Sequence, residues 1–319
     1  MDGGEDLNYK KKIIVANTGD DSLTFINNNM DKEVETFKIK DLTNFNGKQI
    51  INRFHGCYIG PYDLAFNGKD YLYCTNIYDN SILKIELSSK KVIDIVPVGK
   101  HPSSIKYFQN RLYIANSDSN SVSVVDEDSF SLIENIPVGE KPIDLQIDEK
   151  NKKLYVANGN GFSIDVIDLE GEERNIIKLA DNPVKMIIDD NRMYILSNVN
   201  NGMLNNSNIY VLDLESYKIK SINNFKGIFN NMIQINGSEV VFITNMDNGY
   251  LYRMDIKKRN LLSKTYLRGM PNKLEWDGDN ILYISNIFTN TVTVFNIKLN
   301  KVINNIKVGS EPNGILVIH

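Results

Sequence analysis

The sequence is short of the residues most often recruited for chemistry: its 319 residues include two cysteines, three histidines and one tryptophan. Cys57 and Cys74 match no metal-ligand spacing. Both are expected as free thiols in a reducing compartment. Histidine is confined to His55, His101 and His319. That is too few for a copper cluster, and a zinc centre needs three or four converging ligands. The closest pair, His55 and Cys57, sits two residues apart in a loop. No apolar run approaches the roughly 18 residues that cross a bilayer. Nor is a signal peptide evident: after Lys12 the apolar run covers only residues 13–16, which read as a strand. Basic excess is lacking as well. The net charge is −4, whereas a nucleic-acid partner held through its phosphates needs a basic face. No stretch sustains a 3.6-residue period, so almost no helix is expected. Nucleophile-elbow, dinucleotide and phosphate-loop motifs are all missing.

What is present is a repeat. An apolar segment ending in Asn recurs at Asn17, Asn76, Asn116, Asn158, Asn198, Asn245 and Asn286, in steps of 59, 40, 42, 40, 47 and 41 residues. Each copy holds four short segments with two-residue alternation, rich in Val, Ile, Tyr and Phe and flanked by turn residues, which are strand signals. In the third copy they cover 103–108, 111–116, 121–126 and 132–138. From the Asn to the acidic residue or Asn closing the third strand is ten residues in six copies, as from Asn116 to Asp126. From Asn198 to Asp213 it is five longer, which places an insertion within 199–206. The Asn is expected to cap the turn, since its side chain bonds nearby backbone and tolerates left-handed conformations. The fourth strand leads into a Gly-x-x-Pro turn, at Gly99 to Pro102, Gly139 to Pro142 and Gly309 to Pro312. Proline there fixes φ on entry to the next strand, and glycine is expected to permit the reversal. The sixth turn, residues 226–231, has no proline.

Four-stranded units of about 40 residues without helix mark the blades of an all-β propeller. Seven anchors give seven blades of four antiparallel strands. The two ends complement each other. The chain finishes on an inner strand with nothing after it and starts on a second strand with nothing before it. Together, residues 312–319 and 12–17 supply 13 steps, against 14 from Pro102 to Asn116 and 15 from Pro271 to Asn286. The C-terminal strand, about 313–318, is therefore expected to join the N-terminal blade, about 12–39, closing the ring and removing exposed edges. Residues 1–11 read as a disordered leader and 12–319 as one propeller.

The segments Tyr73-Cys-Thr-Asn76, Tyr113-Ile-Ala-Asn116, Tyr155-Val-Ala-Asn158 and Tyr283-Ile-Ser-Asn286, with Val-Gly-x-x-Pro, resemble the YVTN-repeat (YncE-like) family of β-propellers. The resemblance covers residues 12–319. It implies the fold, and binding or surface roles rather than one reaction.

In such a propeller the Asn loops and Gly-x-x-Pro turns share the face around the channel mouth. Two length anomalies fall near it: the insertion in 199–206 and about 19 extra residues between Asn27 and Pro61. With 34–39 as the outer strand, 41–58 becomes a loop over that mouth; with 50–55 instead, the extra residues fall on the opposite face. The second position after each proline is expected to line the channel: Asp63, Ser104, Asp144, Lys185, Lys273 and Gly314, with Met232 in the proline-free blade. Two residues further stand Lys106, Gln146, Gln234 and Glu275. The candidate ligand site is Tyr62, Asp63, His101, Asp144, Lys185 and Lys273, with His101 and Tyr62 at the rim. It would take a small polar ligand or protein partner, without catalysis and without a cofactor. The alternative is a metal-dependent hydrolase or lyase of lactonase type, with a divalent metal on Asp63, Asp144 and Glu275. A cytoplasmic monomer is expected, or a cell- or spore-surface protein if a leader has been removed.

Overall fold

Strand follows strand along the chain, and among the described residues the helical segments are single turns at Thr18–Asp20 and Ile39–Leu42. The structure, a computed structural model, describes residues 11–27, 33–42, 58–200, 205–235 and 237–318. They form seven four-stranded antiparallel sheets, the blades of a seven-bladed β-propeller. Blade three, in order from the axis outward, is Pro102–Phe108, Arg111–Asn116, Ser121–Asp126 and Ser131–Pro137. Blade one is assembled from both ends of the chain. Its inner strand, Pro312–Ile318, pairs with Lys12–Asn17 in the register Lys12↔Ile318, Ile13↔Val317 and Ile14↔Leu316. Its outer strand is Val34–Lys38, the first of the two alternatives.

Burial explains the sequence pattern. Each sheet is covered on both faces by its neighbours, so its middle strands are mostly buried, as from Leu112 to Asn116, and the second strand reads as a nearly continuous apolar run up to its Asn. Outer strands have water on one side, and Ser131–Pro137 is exposed at six of its seven residues. Apolar side chains gather into seven clusters, each drawing on two adjacent blades, so the core is a ring of interblade gaps. The repeated tyrosines fill these gaps and must satisfy a buried hydroxyl. Tyr73 donates to Glu127 of the next blade at 2.5 Å, and Glu127 also accepts from Asn67 and Tyr107. Tyr194 donates likewise to Glu239 at 3.1 Å.

The repeated Asn is a buried donor. Asn116 Nδ2 reaches Ser121 Oγ at 3.2 Å and Ser123 Oγ at 2.9 Å. Its turn glycine serves a different purpose from the one expected. A Cβ on Gly99 would lie 2.5 Å from Asn116 Cγ, and one on Gly139 would lie 2.6 Å from Asn158 Nδ2. Glycine is needed because the carboxamide packs directly on the main chain. Positive φ falls two residues later, on His101 (53°), Lys141 (57°) and Glu311 (52°).

Both length anomalies are partly placed. After the outer strand of blade one, residues 39–42 form a helical turn, and the expected loop then runs into 43–57, outside the described residues. His55 and Cys57 lie there too, as do residues 1–10 of the expected leader; Lys11 ion-pairs with Asp277 at 2.8 Å. The second insertion lengthens two strands, Arg192–Asn200 and Asn205–Asp213, whose pairing runs on to Asn200↔Asn205. Residues 201–204 lie outside the described set. Cys74 is buried and free, and burial pushes its thiol up. Among the described residues no helix is long and apolar enough to cross a membrane.

Candidate functional site in the central channel

Seven inner strands surround the axis, and in six of them the register shifts just after the proline, between Pro61/Leu64, Pro102/Ser104, Pro142/Asp144, Pro183/Lys185, Pro271/Leu274 and Pro312/Ile315. Such a bulge sets an extra residue against the partner strand and re-aims the side chain that follows. The side chains it directs inward surround a cavity of about 110 Å³, lined by Asp63, Ser104, Lys106, Asp144, Lys185, Asn231, Lys273 and Glu275 with four apolar residues. Larger hollows of about 340 and 510 Å³ lie on the flank between blades three and four. They do not gather opposed charges from around the ring as the channel does.

Blade six departs from the expectation. Without the proline it has no bulge, and Asn231 pairs with Thr244 where Ser104 pairs with Ala115. Asn231 therefore lines the cavity, while Met232 is 1% exposed and packs between blades five and six. Gln234, expected deeper in the channel, is buried and donates to Asp189 at 2.9 Å and to the Ser238 carbonyl at 2.8 Å. The signal that could have found Asn231 was the missing proline itself.

The charges are paired in a defined way. Asp63 accepts from Lys273 Nζ at 3.3 Å through Oδ1 and from the Ile105 N–H at 3.1 Å through Oδ2. Asp144 accepts from Lys185 Nζ at 2.7 Å and from the Met186 N–H at 2.8 Å. Each aspartate thus ties its own blade to the inner strand of the next. Lys273, in blade seven, reaches Asp63 in blade two past blade one, whose equivalent position is Gly314. A Cβ there would lie 2.5 Å from the Tyr62 carbonyl oxygen and 3.1 Å from Asp63 Cα. Lys106 and Glu275 stand two residues further along their strands, about 7 Å deeper at the rise of an extended chain. No hydrogen bond of the Lys106 ammonium or the Glu275 carboxyl is found among the described residues.

The field of this cluster shows in its acidities. Burial alone would raise Asp63, but Lys273, Lys106 and Lys185, with the Ile105 N–H, hold it below the usual carboxylate range. Burial lowers Lys273, yet Asp63, Tyr62 and Asp144 more than offset it and hold the ammonium above its usual value. Lys185 is pushed down by burial, then by Lys273 and Lys106, against the pull of Asp144. Burial pushes Glu275 up to about 7, the three lysines opposing.

Of the sequence candidates, Asp63, Asp144, Lys185 and Lys273 line the cavity, whereas Tyr62 and His101 do not. These two rings pack on each other, 6.4 Å apart and tilted by 58°. Burial pushes the Tyr62 phenol up, with Lys273 opposing. As for a metal, no group of three or more His, Cys, Asp or Glu side chains suited to holding one occurs among the described residues. Asp63 and Asp144 are instead each turned to a lysine.

No protein-family model matches the chain, and no curated protein matches it. Solved structures do. A Lactobacillus plantarum protein aligns over 97% of this chain and 99% of its own, with TM-score 0.76 and 10% identity. A Bacteroides fragilis protein proposed to be a 6-phosphogluconolactonase aligns over 99% and 100%, with TM-score 0.74 and 11% identity. Kuenenia stuttgartiensis hydrazine synthase aligns over 80% and 88%, with TM-score 0.72 and 18% identity. At such identities the likeness is one of fold.

Proposed function

We propose that the chain is a binding module of the YVTN-repeat kind, taking a small polar ligand into its central channel without catalysis. One observation carries this: Asp63, Lys106, Asp144, Lys185, Lys273 and Glu275 converge from five blades on a cavity of about 110 Å³. Buried ion pairs contribute little net stability, and apolar replacements of similar volume are often neutral or better. Such a cluster therefore favours recognition over scaffolding. The test is a thermal-shift screen against small metabolites and divalent metals. A ligand that binds only the folded state raises the melting temperature, by about 2.7 kcal/mol of added stability at a hundredfold excess over Kd. At least one compound is expected to do so in the native protein and to fail with Lys106→Ala, a change that removes no side-chain hydrogen bond found among the described residues.

A second reading, a hydrolase or lyase of lactonase type, is favoured by Glu275, pushed up to about 7 and so suited to proton transfer near neutral pH. The fold likeness to the Bacteroides protein is compatible with it. Turnover of a lactone, abolished in Glu275→Gln with binding retained, would establish it in place of the first.

A further inference from the structure

The channel holds more hydrogen-bond donors than its own acceptors consume, and we infer that its ligand is a small oxyanion, a carboxylate or phosphate group seated among Lys106, Lys185 and Lys273. This deepens the binding role proposed above and rests on it. An ammonium has three N–H donors and no acceptor. Lys185 spends one on Asp144 and Lys273 one on Asp63, and none from Lys106 is found among the described residues. The aspartates are the reverse case. Each carboxylate oxygen already holds a donor, from a lysine or from the N–H of Ile105 or Met186. A cation entering the cavity would meet aspartate oxygens that each already face a donor, leaving Glu275 as the one cavity carboxyl for which no hydrogen bond is found among the described residues. An anion would meet the open donors of three ammoniums, with the Ser104 hydroxyl and Asn231 carboxamide beside them.

Glu275 fits the same chemistry. It lies within the field of Lys106, Lys185, Lys273 and Asp63, and Asp144 completes the charged wall. Ionised, it repels an incoming anion; protonated, it adds one more donor. Oxyanion binding is then accompanied by proton uptake at Glu275. The size of the cavity, about 110 Å³, suits a group of a few heavy atoms such as phosphate or a short carboxylate.

Isothermal titration of the full chain separates the possibilities. The probes are sulfate, inorganic phosphate and acetate as anions, with magnesium and putrescine as cations. At least one anion is expected to bind, neither cation should, and phosphate against acetate identifies which oxyanion is preferred. Lys106→Ala is expected to weaken anion binding about tenfold or more, the worth of a charge-assisted hydrogen bond, and Lys106→Arg to restore most of it. Sulfate does not titrate near neutrality, so its affinity reports the protein's proton: it should fall about tenfold from pH 6 to pH 8, and far less in Glu275→Gln. Magnesium or putrescine binding without any anion overturns the oxyanion assignment while leaving the channel a ligand site. Anion affinity unchanged by Lys106→Ala also overturns it, by placing the anion elsewhere. Silence of every probe overturns it, and if the metabolite screen is silent too, the binding role falls with it.

Discussion

Asp144 is bonded through both oxygens, to Lys185 Nζ at 2.7 Å and to the Met186 N–H at 2.8 Å, and its side chain is 4% exposed. Removing it strands a buried ammonium and a main-chain donor together. Asp144→Ala is expected to cost about 3 kcal/mol, in the range for breaking a buried pair. The double change Asp144→Leu with Lys185→Met should recover most of that, since both charges then leave the core. Urea denaturation of Asp144→Leu alone, Lys185→Met alone and the double measures the coupling. Gly314 exposes a different constraint. An added Cβ would press on the Tyr62 carbonyl oxygen at 2.5 Å, and backbone cannot swing aside as a side chain can. Gly314→Ala should cost about 1–3 kcal/mol by overpacking, read from the shift in denaturation midpoint at unchanged slope.

Within an element, the channel depends on register. A proline followed by a bulge occurs in six blades and turns the side chain of the next-but-one residue inward in five of them, Gly314 having none to turn; blade six has neither proline nor bulge and turns Asn231 inward instead of Met232. Met232→Lys should therefore destabilise by more than about 3 kcal/mol, through an unpaired charge in the core. Asn231→Lys should keep the melting temperature within a few degrees and strengthen sulfate binding. Had the residue count alone governed, the two outcomes would be exchanged. The same blade-level logic explains the lengthened hairpin of blade five. Among the described residues the two strands run on past Asn198↔Ser207 to pair 199 with 206 and 200 with 205, and each added pair satisfies its own backbone groups.

Across the whole molecule, closure depends on one strand. Pro312–Ile318 pairs with Lys12–Asn17 and carries Ile315 and Val317 into the gap between blades seven and one. Deleting residues 312–319 would strip one wall of the channel and expose the edge of a strand that is apolar and buried from Ile13 to Ala16. Such an edge pairs with other chains. The shortened protein is expected to lose its single cooperative unfolding transition and to elute as aggregates, which circular dichroism melts and size-exclusion chromatography would report.

The repeat of Asn anchors, the strand pattern between them and the complementary ends were enough to determine seven blades and their closure, because blade number and strand order depend on spacing along the chain. Asp63, Asp144, Lys185 and Lys273 were likewise legible as channel residues, since a fixed offset from proline aims them. Only the tertiary structure decided which of these charges neutralise one another. Lys273 meets Asp63 across 210 residues of chain, a distance that ring closure removes and spacing does not encode. It also decided that Lys106 and Glu275 share the cavity, that Tyr62 and His101 turn to each other, and that Asn231 replaces Met232. Those outcomes depend on packing in three dimensions, where a missing bulge or a missing Cβ changes which side chains can meet.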